Sequence, residues 1–154
     1  MEHYSVRPAT LNDTDILVRH RVGMFTDMGV VVDRSAADRF KNWLAEMMPD
    51  GTYRAWLLET ETGEVIAGGG ITILPWPPGP LAPEGRLAFV YNVYTEPSHR
   101  RHGHAGLIMH AIHAWCREAG VSSLALNASQ FGVSLYQSLG YRPSASPMMF
   151  LGLE

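Results

Sequence analysis

The sequence has few charged residues and almost no cysteine, and both shortages narrow the functions open to it. Charged side chains make up 18% of the 154 residues, and the formal net charge at pH 7 is −3. Nucleic-acid binding needs a broad basic surface, so we expect no nucleic-acid partner. Cys116 is the only cysteine, which excludes an intramolecular disulfide and a cysteine-based zinc cluster.

Long apolar runs are missing as well. No segment approaches the roughly 20 apolar residues that a membrane-spanning helix needs, and the opening MEHYSVRPATLNDTD lacks the apolar core of a secretion signal. We therefore predict a cytoplasmic protein with no membrane partner. Apolar residues make up 46% of the chain, which is typical of a globular protein, and its length favours one domain over residues 1–154.

The spacing of apolar residues predicts a mixture of helices and strands. Helices are expected after a cap at Thr10 or Asn12, after a cap at Ser35, from about Gly103 to Ala119, and in QFGVSLYQSLG. Strands are expected at HYSVRP, TYRAWLLET, EVIAGGGITIL, RLAFVYNVYT, SSLALNAS and PMMFLGL. In RLAFVYNVYT, alternation predicts one shared face for Leu87, Phe89, Tyr91 and Val93. The segment 75–85 holds five prolines and predicts a stiff loop. This order indicates a mixed α/β or α+β fold with helices on both faces of a sheet.

Residues 98–115, SHRRHGHAGLIMHAIHAW, contain five of the seven histidines and raise the question of a metal site. His110 and His113 share the polar face of a predicted helix with Arg117, which is typical of a solvated surface. His99 and His102 precede the helix beside two arginines, and no carboxylate is present to complete or orient a ligand set. We therefore predict no metal here.

The same stretch also joins a strand to an amphipathic helix. The main-chain N–H groups of residues 101–106 then belong to a helix N-terminus, where unpaired donors and the helix dipole favour an anion. Gly103 and Ala105 are small enough for close approach, and Arg100 and Arg101 would add positive charge. The pattern favours a phosphate or pyrophosphate site, although glycine loops between strands and helices also serve purely structural purposes.

Three segments carry a family resemblance that spans nearly the whole chain. Arg100-Arg101-His102-Gly103-His104-Ala105 resembles the R/Q-x-x-G-x-G/A signature of the GNAT superfamily of N-acetyltransferases, and VYNVYTEPSHR resembles the strand and turn that precede it. LNASQFGVSLYQSLGY is similar to the second half of the superfamily, and VRPATLNDTD is similar to its N-terminal strand and helix start.

The resemblance implies a fold and a cosubstrate site. The fold is a mixed, mostly antiparallel sheet whose fourth and fifth strands splay apart, with acetyl-CoA in the gap and no metal. By position, the amides of residues 101–106 (Arg101, His102, Gly103, His104, Ala105 and Gly106) would hold the pyrophosphate, with Arg100 beside them. The main chain of Val93, Tyr94 and Thr95 would pair with pantetheine, while Asn127 and Ser129 lie near the lower arm of the cosubstrate. Many relatives have asparagine where Ser129 stands.

The resemblance also implies a mechanism, in which an amine of a small molecule or peptide attacks acetyl-CoA directly in a ternary complex. Tyr136 takes the position of the general acid, and a core aromatic is the structural alternative for it. Many relatives carry a glutamate before the signature, where this chain has Tyr91 and Asn92. The general base thus stays open among water and the carboxylates Asp27, Asp33 and Glu84.

Substrate contacts are expected from Asp27, Asp33 and Trp76, which lie in regions that vary in the superfamily, and from Tyr91 on the strand before the signature. The acidic pair would suit a cationic amine. A non-catalytic sensor of acyl-CoA on the same fold is the alternative function, and a homodimer is possible through the apolar C-terminus.

Overall fold

Five strands form one mixed sheet in the computed structural model, which describes residues 2–153. They are β1 (Tyr4–Pro8), β2 (Tyr53–Thr60), β3 (Val65–Pro75), β4 (Arg86–Thr95) and β5 (Leu124–Leu126), and they lie side by side in that order. The first four strands pair antiparallel, and β5 pairs parallel to β4. This arrangement confirms the mixed, mostly antiparallel sheet.

Helices cover both faces of this sheet, as predicted. The elements are α1 (Thr14–Asp27), α2 (Arg34–Met47), α3 (His104–Ala119) and α4 (Val133–Ser138), with short 3-10 turns at Leu11–Asp13 and Pro97–His99. Because β2 side chains alternate, its residues enter two buried clusters. Leu57 packs with Leu17 and Leu44 in what we call the α1 and α2 cluster. Trp56 and Leu58 pack with Ile108, Ile112 and Cys116 in the α3 cluster. None of the helices within residues 2–153 has the length and hydropathy needed to cross a membrane.

Cys116 lies in the α3 cluster and is 1% exposed. Burial raises the pKa of its thiol to about 11, so the reactive thiolate is scarce at neutral pH.

Three consecutive glycines, Gly68–Gly70, sit in the middle of β3 because its neighbours approach closely on both faces. A Cβ atom at Gly69 would lie 2.9 Å from Cγ2 of Ile108, and one at Gly70 would collide with the ring of Tyr53. The missing side chains therefore let α3 pack against one face of β3 and Tyr53 against the other.

A β-bulge interrupts β4 at Asn92, whose φ is +60°. Tyr91 is opposite Gly70 and Tyr94 is opposite Gly68, so two residues of β4 face one residue of β3. The bulge reverses the alternation after Tyr91, so Tyr91 lies with the α1 and α2 cluster and Val93 with the α3 cluster. The prediction of a shared face therefore holds for Phe89 and Tyr91, whose ring centres are 4.8 Å apart, and is wrong for Val93.

The gap between β4 and β5 is confirmed by the length of their pairing. The two strands are in register only from Ala88–Leu124 to Val90–Leu126. From residue 91 to residue 95, the β4 edge that faces away from β3 has no neighbouring strand among the described residues.

Two details of the predicted elements are wrong and one cap is confirmed. Thr10 caps the 3-10 turn that leads into α1, as expected. The cap of α2 is Asp33, whose Oδ1 accepts a hydrogen bond from the Ala36 amide at 2.7 Å, and not Ser35. Residues 147–153 form no strand and are exposed, Phe150 by 90%. No described strand pairs with them, so their apolar side chains stay exposed.

Candidate functional site

A cleft of about 1000 Å³ opens where β4 and β5 diverge. Its walls come from the end of α1, the second half of β4, the start of α3, the segment after β5, and α4. Most of the residues predicted to form a site line this one cleft: Val93, Tyr94, Thr95, Arg100, Arg101, Gly103, His104, Ala105, Gly106, Asn127, Ser129 and Tyr136, together with Asp27 and Tyr91.

The N-terminus of α3 presents a row of unpaired donors to this cleft. No main-chain N–H of residues 101–106 donates a hydrogen bond to another residue among 2–153, and the first helical bond runs from the Leu107 amide to the Gly103 carbonyl. Positive φ angles at Arg101 (66°) and Gly103 (79°) turn the chain into the helix. Such a run of amides at the positive end of a helix dipole can hold a diphosphate.

The exposed edge of β4 supplies a second kind of binding surface in the same cleft. Val93, Tyr94 and Thr95 line it with main-chain groups that have no strand beside them on that side. An extended ligand can pair with such an edge as an added strand does.

Arg100 is held by protein groups beside the cleft. It forms an ion pair with Asp27 at 2.6 Å and donates through Nε to the Thr95 carbonyl at 2.9 Å. Its guanidinium also lies 5.3 Å from the centre of the Tyr94 ring. Arg100 thus ties the end of α1 to the end of β4, and the charge of Asp27 is already balanced.

Tyr136 on α4 both packs against the α3 cluster and lines the cleft. Its hydroxyl makes no hydrogen bond to a residue in the described part of the chain. Burial raises the pKa of Tyr136, so the phenol carries its proton at neutral pH. The two readings of this residue, core aromatic and proton donor, are therefore compatible.

Three residues predicted to contribute to the site do not line the cleft. His102 is exposed on the turn before α3, Asp33 caps α2, and Trp76 lies on the proline-rich loop. Glu84, one of the carboxylates considered as a base, instead accepts hydrogen bonds from the amide and hydroxyl of Ser122.

A second cavity, of about 590 Å³, lies between α1, α2 and β4. Its walls are mainly apolar: Val18, Val22, Phe25, Val30, Val31, Val32, Ala36, Ala37, Phe40 and Trp43. Its polar residues are Arg21, Arg39, Thr72, Tyr91 and Asn92. The two cavities meet at the four residues that line both, namely Arg21, Phe25, Tyr91 and Asn92.

Sequence reasoning missed Arg21, Thr72 and the importance of Asn92. One signal was available, because Arg21 lies four residues from both Leu17 and Phe25 and so places a cation in the apolar stripe of α1. Asn92 is buried and links Arg21 to Tyr53: its Oδ1 accepts from Arg21 Nη1 at 2.6 Å, and its Nδ2 donates to the Tyr53 hydroxyl at 3.0 Å.

The histidines do not share one environment. His110 is exposed, as predicted, whereas His113 is half-buried and hydrogen-bonds the Tyr141 hydroxyl at 2.8 Å, so the prediction of a solvated His113 is wrong. His104 is 3% exposed, packs edge-on against Tyr4, and neither ring nitrogen has a partner within the described residues. In residues 2–153, no group of three or more His, Cys, Asp or Glu side chains is arranged to hold a metal ion.

Two buried histidines should make the protein less stable in acid. Burial lowers the pKa of both His20 and His104, so they stay neutral in the folded state while the unfolded chain takes up protons below about pH 6.5. The unfolded state then binds more protons, and the free energy of unfolding should fall as the pH drops from 7.5 to 5.0. Urea unfolding at a series of pH values measures this slope.

The variant His104→Gln should flatten that slope, and His110→Gln, at an exposed position on the same helix, should leave it unchanged. Equal slopes in the two variants would contradict the assignment of the acid sensitivity to His104.

Both the sequence and the fold of the chain resemble known proteins. The model of the acetyltransferase (GNAT) family matches residues 22–141. The structure of a GCN5-related N-acetyltransferase from Ralstonia eutropha JMP134 is similar with a TM-score of 0.86 and 30% identity, over 97% of this chain and 99% of that one. A predicted acetyltransferase from Clostridium acetobutylicum, solved with acetyl-CoA, has a TM-score of 0.88 and 22% identity, over 97% and 96% of the two chains.

A more distant similarity extends to an enzyme of known substrate. Glucosamine-6-phosphate N-acetyltransferase from Arabidopsis thaliana has a TM-score of 0.73 and 17% identity, over 97% of this chain and 99% of that one. At this identity the likeness shows a shared fold alone. No curated protein sequence matches the chain significantly.

Proposed function

The chain belongs to the GNAT acetyltransferase family, and from that membership we propose that it transfers an acetyl group from acetyl-CoA to an amine. The observation that carries the proposal is the meeting of two surfaces in one cleft. The unpaired amides of residues 101–106 suit a pyrophosphate, and the unpaired β4 edge at Val93, Tyr94 and Thr95 suits the amide-containing pantetheine arm.

Acetyl-CoA would then lie along the cleft with its thioester near the bulge at Asn92. The amides of the 101–106 turn would hold the pyrophosphate, with Arg101 beside them and Arg100 fixing the turn through Asp27. Asn127 and Ser129 would contact the lower arm from the opposite wall of the cleft.

Transfer would proceed by direct attack in a ternary complex. The amine nitrogen forms a bond to the thioester carbonyl carbon, and a main-chain N–H of the unpaired β4 edge stabilises the resulting oxyanion. The nitrogen of this intermediate gives its surplus proton to water in the cleft. The C–S bond then breaks, Tyr136 donates its proton to the departing thiolate, and the tyrosinate regains a proton from water. Because burial keeps the Tyr136 phenol protonated, it is ready for that role at neutral pH.

The acceptor amine must lose a proton before it attacks, since an alkylammonium has a pKa near 10.4. Of the carboxylates considered for this step, Asp27 is paired with Arg100, while Asp33 and Glu84 are bound to other groups outside the cleft. We therefore assign the removal of the amine proton to water in the cleft. The acceptor would lie in the second cavity beside Tyr91, and Asp33 and Trp76 line neither cavity.

Thermal unfolding with and without acetyl-CoA tests the cosubstrate. At about a hundredfold excess over Kd, binding should add roughly 2.7 kcal/mol to the free energy of unfolding. No shift at millimolar acetyl-CoA would refute the proposal. Release of CoA in the presence of a panel of amines then separates an enzyme from an acyl-CoA sensor, since a sensor binds acetyl-CoA and releases no thiol.

A further inference from the structure

We propose that the acceptor is an amine that also carries a carboxylate and an apolar side group, as apolar amino acids do, and that Arg21 binds the carboxylate. This inference rests on the proposed acetyl transfer and names the substrate class for it. The binding site is the 590 Å³ cavity between α1, α2 and β4.

The first support is a half-buried cation without an anion. Arg21 has no carboxylate within ion-pair distance in residues 2–153. Its one hydrogen bond runs from Nη1 to the neutral amide of Asn92, which leaves donors on Nε and Nη2 free. The guanidinium is held between two aromatic rings, 4.7 Å from the centre of Phe40 and 5.0 Å from that of Phe25. A fixed guanidinium with a free pair of donors matches the two oxygens of a carboxylate.

The second support is an unpartnered hydroxyl in the same cavity. Thr72 is only 6% exposed, and its Oγ1 has no hydrogen-bond partner in the described chain although it lines the cavity. A buried hydroxyl of this kind costs free energy unless a partner satisfies it. Tyr91 also lines the cavity, and its hydroxyl makes no hydrogen bond to another side chain or main-chain group in residues 2–153. These two groups can hydrogen-bond the polar end of an acceptor that is held by Arg21.

The other residues that line the cavity indicate the polarity and charge of the rest of the acceptor. Valine, phenylalanine and tryptophan side chains line the cavity, so the part of the acceptor away from Arg21 is apolar. Its charged residues are Arg21 and Arg39, and no Asp or Glu of the described residues lines it. Polyamines and other acceptors with several positive charges are disfavoured by this field.

The cavity also opens where acetyl transfer would occur. Arg21 and Asn92 line both cavities, and Asn92 lies in the unpaired segment of β4. An amino group close to the carboxylate would therefore point from Arg21 toward the thioester, while the apolar group stays between α1 and α2.

The test compares amines that differ only in the carboxylate. CoA release is measured with L-phenylalanine against phenethylamine, with L-leucine against 3-methylbutylamine, and with spermidine. The carboxylate should raise kcat/KM on the order of 10-fold to 100-fold, the range of a hydrogen bond to a charged group. In Arg21→Gln the ratio of kcat/KM for L-phenylalanine to that for phenethylamine should fall to about 1, whatever the change in the absolute rates, and Thr72→Val should lower kcat/KM for the amino acids about 2-fold to 10-fold.

Lys41→Gln, which removes an exposed cation from α2 outside both cavities, is the matched control and should keep the full preference. Because Arg21→Gln could unfold the protein, its melting temperature and its acetyl-CoA binding are measured alongside, and Arg21→Lys should retain part of the preference. Calorimetric titration of L-phenylalanine into the protein with CoA present gives a second readout that needs no turnover.

The outcomes separate this inference from the proposed function. Equal rates for the amino acids and their decarboxylated partners, or faster acetylation of spermidine, would overturn the substrate class while acetyl transfer stands. Absence of acetyl-CoA binding would refute the transfer itself. In that case, L-phenylalanine that still binds wild-type protein but not Arg21→Gln would support the carboxylate site, and L-phenylalanine that binds neither would refute it.

Discussion

Removing the hydroxyl of Tyr136, in Tyr136→Phe, is expected to lower kcat by about 100-fold or more while acetyl-CoA affinity stays nearly unchanged. A positioned general acid contributes roughly 10²-fold to 10⁴-fold, and the ring that packs against the α3 cluster is kept. The hydroxyl has no protein partner among the described residues, so its loss should cost little stability. Steady-state CoA release and calorimetric binding of acetyl-CoA measure the two quantities.

Tyr141→Phe is the matched control, because its ring centre lies 5.8 Å from that of Tyr136 and its hydroxyl bonds His113 instead of facing the cleft. We expect this variant to lose some stability and to keep kcat. If Tyr136→Phe turns over at the wild-type rate, Tyr136 is a core aromatic and the thiolate leaves without it.

An aspartate at position 106 should separate the stability of the protein from its affinity for acetyl-CoA. Gly106 lies in the first turn of α3, and a Cβ atom there would meet nothing closer than Leu135 Cδ1 at 3.9 Å. Gly106→Asp should therefore stabilise the free protein slightly, because an acidic residue near a helix N-terminus is favourable. The same charge about 5 Å from a pyrophosphate would cost roughly 3 kcal/mol at an effective dielectric constant of 20, which is more than 100-fold in Kd.

Two control variants separate the effect of the charge at position 106 from the effects of added volume and of a charge placed elsewhere on the helix. Gly106→Asn adds nearly the same volume without the charge, and Ala114→Asp adds the charge at an exposed position two turns along α3. Both should bind acetyl-CoA more than tenfold tighter than Gly106→Asp. Equal Kd values for Gly106→Asp and Gly106→Asn would place the pyrophosphate away from the helix N-terminus.

The parts of the fold that were predictable from sequence are those with regular apolar spacing. The stripe through Ile108, Ile112 and Cys116 predicted α3, and alternation or continuous apolar runs predicted the first five strands. The bulge at Asn92 was not predictable because it is defined by the register between β4 and the glycines of β3, which the sequence of β4 alone does not contain. The prediction of a final strand at 147–153 is wrong for a different reason. The apolar pattern is present in the sequence, but no described strand pairs with this segment.

The cleft between β4 and β5 and the second cavity differed in how far the sequence predicted their residues. The amides of the 101–106 turn follow from one local motif and were predicted together with their location. Arg21, Thr72 and Asn92 come from three separate elements, and only the folded sheet brings them to one cavity. Of the residues proposed for substrate binding, Tyr91 lies there on the same face as Phe89, which the alternation of β4 does predict.

The burial of Cys116 has a practical consequence for measuring this protein. The sequence has one thiol, its pKa is raised, and it is enclosed between α3 and the sheet. The folded chain should therefore react very slowly with thiol-specific dyes. A dye that reports free CoA would then record turnover over a flat background. In the absence of substrate, the same dye would label only molecules whose core has opened. Its slow reaction rate would therefore measure how often the native state opens spontaneously.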